Sequence, residues 1–260
     1  MQTGFVALLD VLGFSSLISS GQGVDSLQRY LGHIEEALTD QAVRAETDYV
    51  VFSDSIVLTT RQDSEDAFKA IVLGCSRVLA LLLAHEIPLR GAVAHGSFLR
   101  SPNAAGIFVA GKAIIDAYQL EVAQDWVGIM IAPSVVKRIS NLAERCSLNS
   151  SPNMNEWLKE AYEHLSWAPF LQPCAHIPFH ASEGLYDGFA IVPMTGETQP
   201  PMLRNNLIKT MENLKWLKSL APNPSAQSKY DRSLQWLYQI QEKWRIVAIL
   251  EQEMKDEKKT

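Results

Sequence analysis

An apolar strand that stops on a lone carboxylate, followed by a hairpin that turns on another, constrains this chain more than any other feature. Residues 4–18 read Gly-Phe-Val-Ala-Leu-Leu-Asp-Val-Leu-Gly-Phe-Ser-Ser-Leu-Ile: an apolar run, Asp10, then a glycine turn. Residues 50–60 read Val-Val-Phe-Ser-Asp-Ser-Ile-Val-Leu-Thr-Thr, two β-branched runs pinched around Ser53, Asp54 and Ser55. Between them Leu27, Tyr30, Leu31, Ile34 and Leu38 recur at helical spacing, which predicts a helix over 25–39. A hairpin beside the first strand brings Asp10 and Asp54 together, although 44 positions separate them. Two carboxylates that close repel unless a cation lies between them, and oxygen ligands of this kind suit Mg²⁺ or Mn²⁺. Magnesium held by one or two carboxylates usually completes its shell with water and substrate phosphates, which points to nucleotide chemistry.

The rest of the chain supplies a frame for such a pair. A strand pair is predicted over 42–52 and 55–60. Asp63, Ser64, Glu65 and Asp66 then start a helix, with acidic residues at the positive end of its dipole. That helix carries Phe68, Ile71, Val72, Val78, Leu79, Leu82 and Leu83 to about residue 85, so it covers a sheet. Pro88 stops it; 89–99 reads as a strand, 111–124 as a helix and 126–132 as a strand, with Pro133 opening another helix. The order β-α-β-β-α-β predicts a ferredoxin-like α/β (α+β) sheet with helices on one face. Residues 1–146 would form this core. Residues 147–260 would complete it with a helix over 153–165, a loop-like stretch over 169–182, a strand over 185–192, a polar linker and two closing helices, 202–220 and 226–255. The last of these bears a stripe of large side chains suited to packing on the body or across a dimer.

Composition narrows the partners. Three cysteines share no CxxC spacing, and the formal net charge is −6, so no overall basic field favours nucleic acid or an anionic membrane. The N-terminal apolar run is broken by Asp10 and lacks basic flanks, and the segment 70–84 looks too short and too polar to span a bilayer. A cytoplasmic location, without nucleic-acid or membrane partners, is expected.

Four segments, in order, resemble the motifs of class III nucleotidyl cyclases. Leu8-Leu9-Asp10-Val11-Leu12-Gly13-Phe14 is similar to the first metal motif and Phe52-Ser53-Asp54-Ser55 to the second. Leu89-Arg90-Gly91-Ala92-Val93-Ala94-His95-Gly96 is similar to the strand after the central helix. Gly111-Lys112-Ala113-Ile114-Ile115-Asp116-Ala117-Tyr118-Gln119-Leu120-Glu121 is similar to the helix bearing the transition-state residues. The resemblance implies two Mn²⁺ or Mg²⁺ ions per site, held by Asp10, Asp54 and the Val11 carbonyl. It also implies a triphosphate cradled by the turn from Leu12 through Gly13 and Phe14 to Ser15, and a homodimer with sites shared between subunits.

The helix departs from the family pattern. Ile115 and Gln119 stand where the commonest members carry an Asn and an Arg, so another cation, with Lys112, Arg90 and Arg100 as candidates, would meet the transition-state charge. Val50 stands where purine cyclases read the base with Lys or Glu, and Tyr49 beside it would shrink the pocket toward a one-ring base. That combination resembles the bacterial pyrimidine cyclases of Pycsar antiphage systems. It implies UTP as substrate, cyclic UMP and pyrophosphate as products, and a cyclic-nucleotide-activated effector downstream. CTP, a purine triphosphate, or an idle nucleotide-binding domain are the alternatives.

Overall fold

In a computed structural model, residues 1–15, 23–103, 106–139, 142, 171–178, 185–194 and 200–257 are described. The first strand, β1 (Gln2–Val11), lies mid-sheet, antiparallel to β3 (Ser55–Thr60) on one side and to β4 (Leu89–Asn103) on the other. β2 (Thr47–Phe52) pairs with β3 as a hairpin, and β6 (Gly128–Ile131) lies parallel to β4. β8 (Leu185–Ile191) joins β6 and β7 (Leu171–Pro178) joins β8, both antiparallel, giving the order β2-β3-β1-β4-β6-β8-β7. β5 (Gly106–Gly111) folds back on the far half of β4.

Alternation along β1 divides the molecule into two layers. Phe5, Ala7 and Leu9 face a large core with Phe68, Ile71 and Cys75 of α3 (Glu65–Ala84) and with Tyr30 and Ile34 of α1 (Gly23–Leu38). Val6 and Leu8 face the other way, against Ala113, Ala117 and Leu120 of α4 (Lys112–Ala123). Helices therefore flank both faces, which corrects the one-sided arrangement expected from sequence. The physical reason is the short alanine face of α4, which lets a helix sit close to the sheet without the large apolar stripe that marks a core-facing helix. α3 is long and apolar enough to cross a membrane, contrary to the reading of 70–84 as too short and too polar, yet most of it is buried inside the fold.

Three local differences have simple causes. Residues 41–46, expected in a strand, form α2 (Gln41–Glu46), because the Asp40 carboxylate caps it by accepting from the Ala42 and Val43 amides. The strand at 89–99 runs on to Asn103 and returns as β5, a hairpin not anticipated from the sequence. Leu171–Pro178, read as loop because of its prolines, is the edge strand β7, where a missing amide donor is tolerated. The helix expected over 153–165 lies outside the described residues.

The last third is tied into the same sheet. After α5 (Pro133–Arg138) and the β7–β8 pair come α6 (Pro200–Leu220) and α7 (Pro224–Glu257). The Ser233 hydroxyl of α7 donates to the Val127 carbonyl at 2.7 Å and accepts the Val127 amide at 3.0 Å, while Trp236 meets Trp126 edge-on. On α3, the Ser76 hydroxyl donates to the Val192 carbonyl at 2.6 Å, just past β8.

Candidate functional site

Asp10 closes β1, and its strand partners are Ser55 on one side and Arg90 on the other. The two-residue turn Ser53-Asp54 docks on the end of the same strand: the Val11 amide donates to the Asp54 carbonyl at 3.0 Å. Ser53 adopts φ 57°, a left-handed conformation that costs a residue with a side chain more than glycine, and it sets the direction in which Asp54 leaves the hairpin. Gly13 (φ 76°) turns the chain away immediately afterwards, and nothing stands near its missing side chain.

The two carboxylates sense one another. Burial and then the Asp54 charge push the Asp10 pKa above its ordinary value, against a smaller pull downward from Arg90. The Arg90 Nη2 stands 4.0 Å from the Asp10 carboxylate. The rest of the Arg90 guanidinium is committed elsewhere: Nε donates to Glu121 at 2.5 Å and Nη1 to the Gln124 carbonyl at 3.1 Å. Glu121 is buried, and burial drives its pKa up despite Arg90. Gln124 is held in turn, its amide nitrogen donating to the Gly91 carbonyl at 2.8 Å and its oxygen accepting from the Trp126 indole at 2.7 Å.

Beneath the turn lies Tyr30, fully buried, with the Phe14 ring edge-on at 5.7 Å. Its hydroxyl has no hydrogen-bond partner among the described residues. Burial, then the charges of Asp54 and Asp10, push its ionisation far up, so it stays a neutral donor within the field of the carboxylates. An orphaned donor and a pair of repelling carboxylates fit a hydrated divalent ion of the hard, oxygen-loving kind. No group of three or more His, Cys, Asp or Glu gathers among the described residues, so an ion here would complete its shell from backbone, water or substrate.

The structure thus gathers Asp10, Val11 and Asp54 at one corner, with Leu12, Gly13 and Phe14 in the adjoining turn. The Leu12 amide, expected to face a phosphate, donates instead to the Pro88 carbonyl at 2.8 Å, which leaves phosphate contact to the residues after it. Tyr49 is not brought to this corner. It pairs with Leu58, whose partner Ala7 faces the α3 core, whereas Asp10 points to the opposite face. Val50, paired with Val57 beside Leu8, and Phe52, paired with Ser55 beside Asp10, lie on the Asp10 face of β2. Lys112 begins α4, nine residues before Glu121, about 13 Å along the helix axis, and its ammonium grips Asp116 at 2.8 Å. Ile115 and Gln119 lie exposed on the outer side of α4. Sequence reading did not assign Glu121, which holds the guanidinium that faces Asp10, or Tyr30, whose ionisation responds to both carboxylates; a lone Glu in a helix and a Tyr in an apolar stripe carry no signal of their own.

No family model and no curated protein matches the chain. Among solved structures it is similar to the guanylate cyclase domain of RhGC from Catenaria anguillulae in complex with GTP, at 12% identity and a TM-score of 0.50, over 74% of this chain and 97% of that one. It is also similar to the catalytic core of a rhodopsin-guanylyl cyclase with converted specificity in complex with ATPalphaS (12%, TM-score 0.48, 74% and 96%) and to the adenylyl cyclase CyaB from P. aeruginosa (13%, TM-score 0.43, 74% and 96%). The first likeness is one of fold: a mixed α/β domain like those of nucleotidyl cyclases, with a helical C-terminal region.

Proposed function

We propose that the chain is a nucleotide cyclase acting on a pyrimidine triphosphate, converting UTP to 3′,5′-cyclic UMP and pyrophosphate. The observation that carries this reading is the docking of the Asp54 turn on the end of β1, which sets Asp54 beside Asp10 in a fold shared with a GTP-bound cyclase domain. Asp10, Asp54 and the Val11 carbonyl would hold two Mn²⁺ or Mg²⁺ ions. Such ions lower the pKa of a ribose 3′-hydroxyl and neutralise a departing pyrophosphate. The protein's own part is positioning. Arg90 keeps Asp10 oriented, the turn after Leu12 offers amides to the triphosphate, and Val50, Val57 and Leu8 give the base an apolar wall with no group to read a purine edge.

A homodimer belongs to the same reading. Leu99, Ile107 and Phe108 on the β4–β5 hairpin, and Ile115, Tyr118 and Val122 on α4, leave apolar side chains exposed, as a surface awaiting a second copy would. In a dimer Lys112, at the start of α4, would serve a site completed by the partner. On the resemblance to Pycsar cyclases, the product acts as a cytosolic second messenger in antiviral defence, through a cyclic-nucleotide-activated effector.

A second reading, an idle nucleotide-binding domain, is favoured by Ile115 and Gln119 in place of the family's Asn and Arg. Incubation with Mn²⁺ and each of the four ribonucleoside triphosphates, with products separated by mass, decides among them. Cyclic UMP is expected. A cyclic product from ATP or GTP alone overturns the pyrimidine assignment, and turnover of none favours the idle domain.

A further inference from the structure

Away from the carboxylate pair, at the sheet edge formed by β2, a cavity of about 210 Å³ is lined by Leu38, Arg44, Thr47, Asp48, Tyr49, Arg61 and Arg100. Asp48 is the register partner of Thr59, four residues along β3 from Ser55, so the cavity lies about 13 Å along the strands from the Asp10 corner. Three guanidinium groups share this space with one carboxylate, a lining charge of 3 − 1 = +2. Arg61 grips Asp48 through Nε at 3.3 Å and Nη2 at 3.0 Å, and Arg100 reaches the same carboxylate through Nη1 at 3.3 Å. Asp48 thereby fixes two cations side by side without neutralising both. Its own pKa is held low, chiefly by the Arg61 hydrogen bonds.

Two donors remain unspent. The Arg100 Nε is buried with no acceptor among the described residues, although its side chain is largely enclosed. Arg44 forms no ion pair among the described residues and stands exposed at the rim. A buried guanidinium N–H without an acceptor costs free energy unless a ligand or water meets it. Preorganised guanidinium forks match the geometry of phosphate oxygens. Tyr49, partly exposed in the same lining, adds a hydroxyl and a ring face.

We propose that this cavity is a second anion site, which takes the phosphate group of a small molecule independently of any metal at the Asp10 corner. Free phosphate or pyrophosphate, and the phosphate of a nucleotide, present the same chemistry to the three arginines. The inference does not need the cyclase reading, and its test is built to fail separately from it.

The test is calorimetric titration of the full chain with inorganic phosphate, pyrophosphate and uridine monophosphate, in a chelator that removes divalent cations. Saturable binding is expected for wild type, weakened about tenfold or more by Arg44→Ala and by Arg100→Met. The same binding is expected to persist in Asp54→Asn. Binding of inorganic phosphate identifies a free anion as sufficient; binding of the nucleotide alone assigns the site to nucleotides. Absence of saturable binding by all three probes, binding indifferent to both arginine variants, or loss of binding in Asp54→Asn overturns the proposal. Arg44→Ala keeps the test decisive if Arg100→Met unfolds, because Arg44 is exposed and holds no structural partner among the described residues.

Discussion

The guanidinium of Arg90 faces the carboxylate of Asp10 across neighbouring strands, 4.0 Å away, while its other edge is locked to the buried Glu121. One cation thus stands between a deep carboxylate and the corner where two further carboxylates meet. It pulls against the rise in the Asp10 pKa that burial and then the Asp54 charge produce, without cancelling it.

Asp54→Asn should abolish cyclic product formation with Mn²⁺ while leaving the fold intact, because the side chain sits on a turn held by its backbone carbonyl. Removing the charge should also ease the ionisation of Asp10. Product analysis by mass beside a thermal melt checks this, and a near-normal rate would refute the metal assignment.

Arg90→Met leaves Glu121 buried without its partner. Loss of one member of a buried ion pair costs about 3–5 kcal/mol, so urea unfolding should show a drop of that order. Glu121→Gln, which keeps the shape and removes the buried charge, should cost less. Equal costs for the two would mean that the pair is not the source of the loss.

Asp10 and Glu121 both have folded-state pKa values above their ordinary ones. In the folded protein they bind protons that the unfolded chain has already released, so these two groups add stability as pH falls. The gain begins at their raised values and is complete below the ordinary carboxylate range. Over the same window protons compete with divalent ions for Asp10. Metal-free unfolding should therefore flatten with pH in Asp10→Asn, and Mn²⁺ affinity in wild type, followed by electron paramagnetic resonance, should weaken toward acid.

Gly111 joins β5 to α4 at φ 145°, and a β-carbon there would lie 2.5 Å from the Phe98 Cα and 2.6 Å from the Ser97 carbonyl oxygen. Both obstacles are backbone, so Gly111→Ala should cost about 1–3 kcal/mol or more in chemical denaturation. A neutral result would show that the hairpin can shift.

On the proposed dimer, Phe108→Asp and Tyr118→Arg should each yield monomer in sedimentation, with activity lost in parallel. Monomeric wild type would remove the support for a shared site.

Much of the corner was legible because its signals are local. The run before Asp10, the β-branched arms around Asp54 and the acidic start of α3 each declare their element over fewer than ten residues. The hairpin β4–β5 and the placement of α4 were not, for opposite reasons. Pro102 and Gly106 read as breakers in sequence but fall within paired strands, while Ala113 and Ala117 bury a face that their small size hides from periodicity. Tyr49 shows the limit most plainly. A one-residue step along a strand reverses the face a side chain occupies, and proximity in sequence to Asp54 could not say on which side it would stand.

Ser53 holds a backbone angle that glycine would occupy with ease. A residue with a β-carbon has fewer other conformations to visit, so the corner presenting Asp54 has little room to wander in the unliganded protein. Stiffness there keeps the Asp54 turn seated on the end of β1, beside Asp10, before anything arrives to offset their like charges.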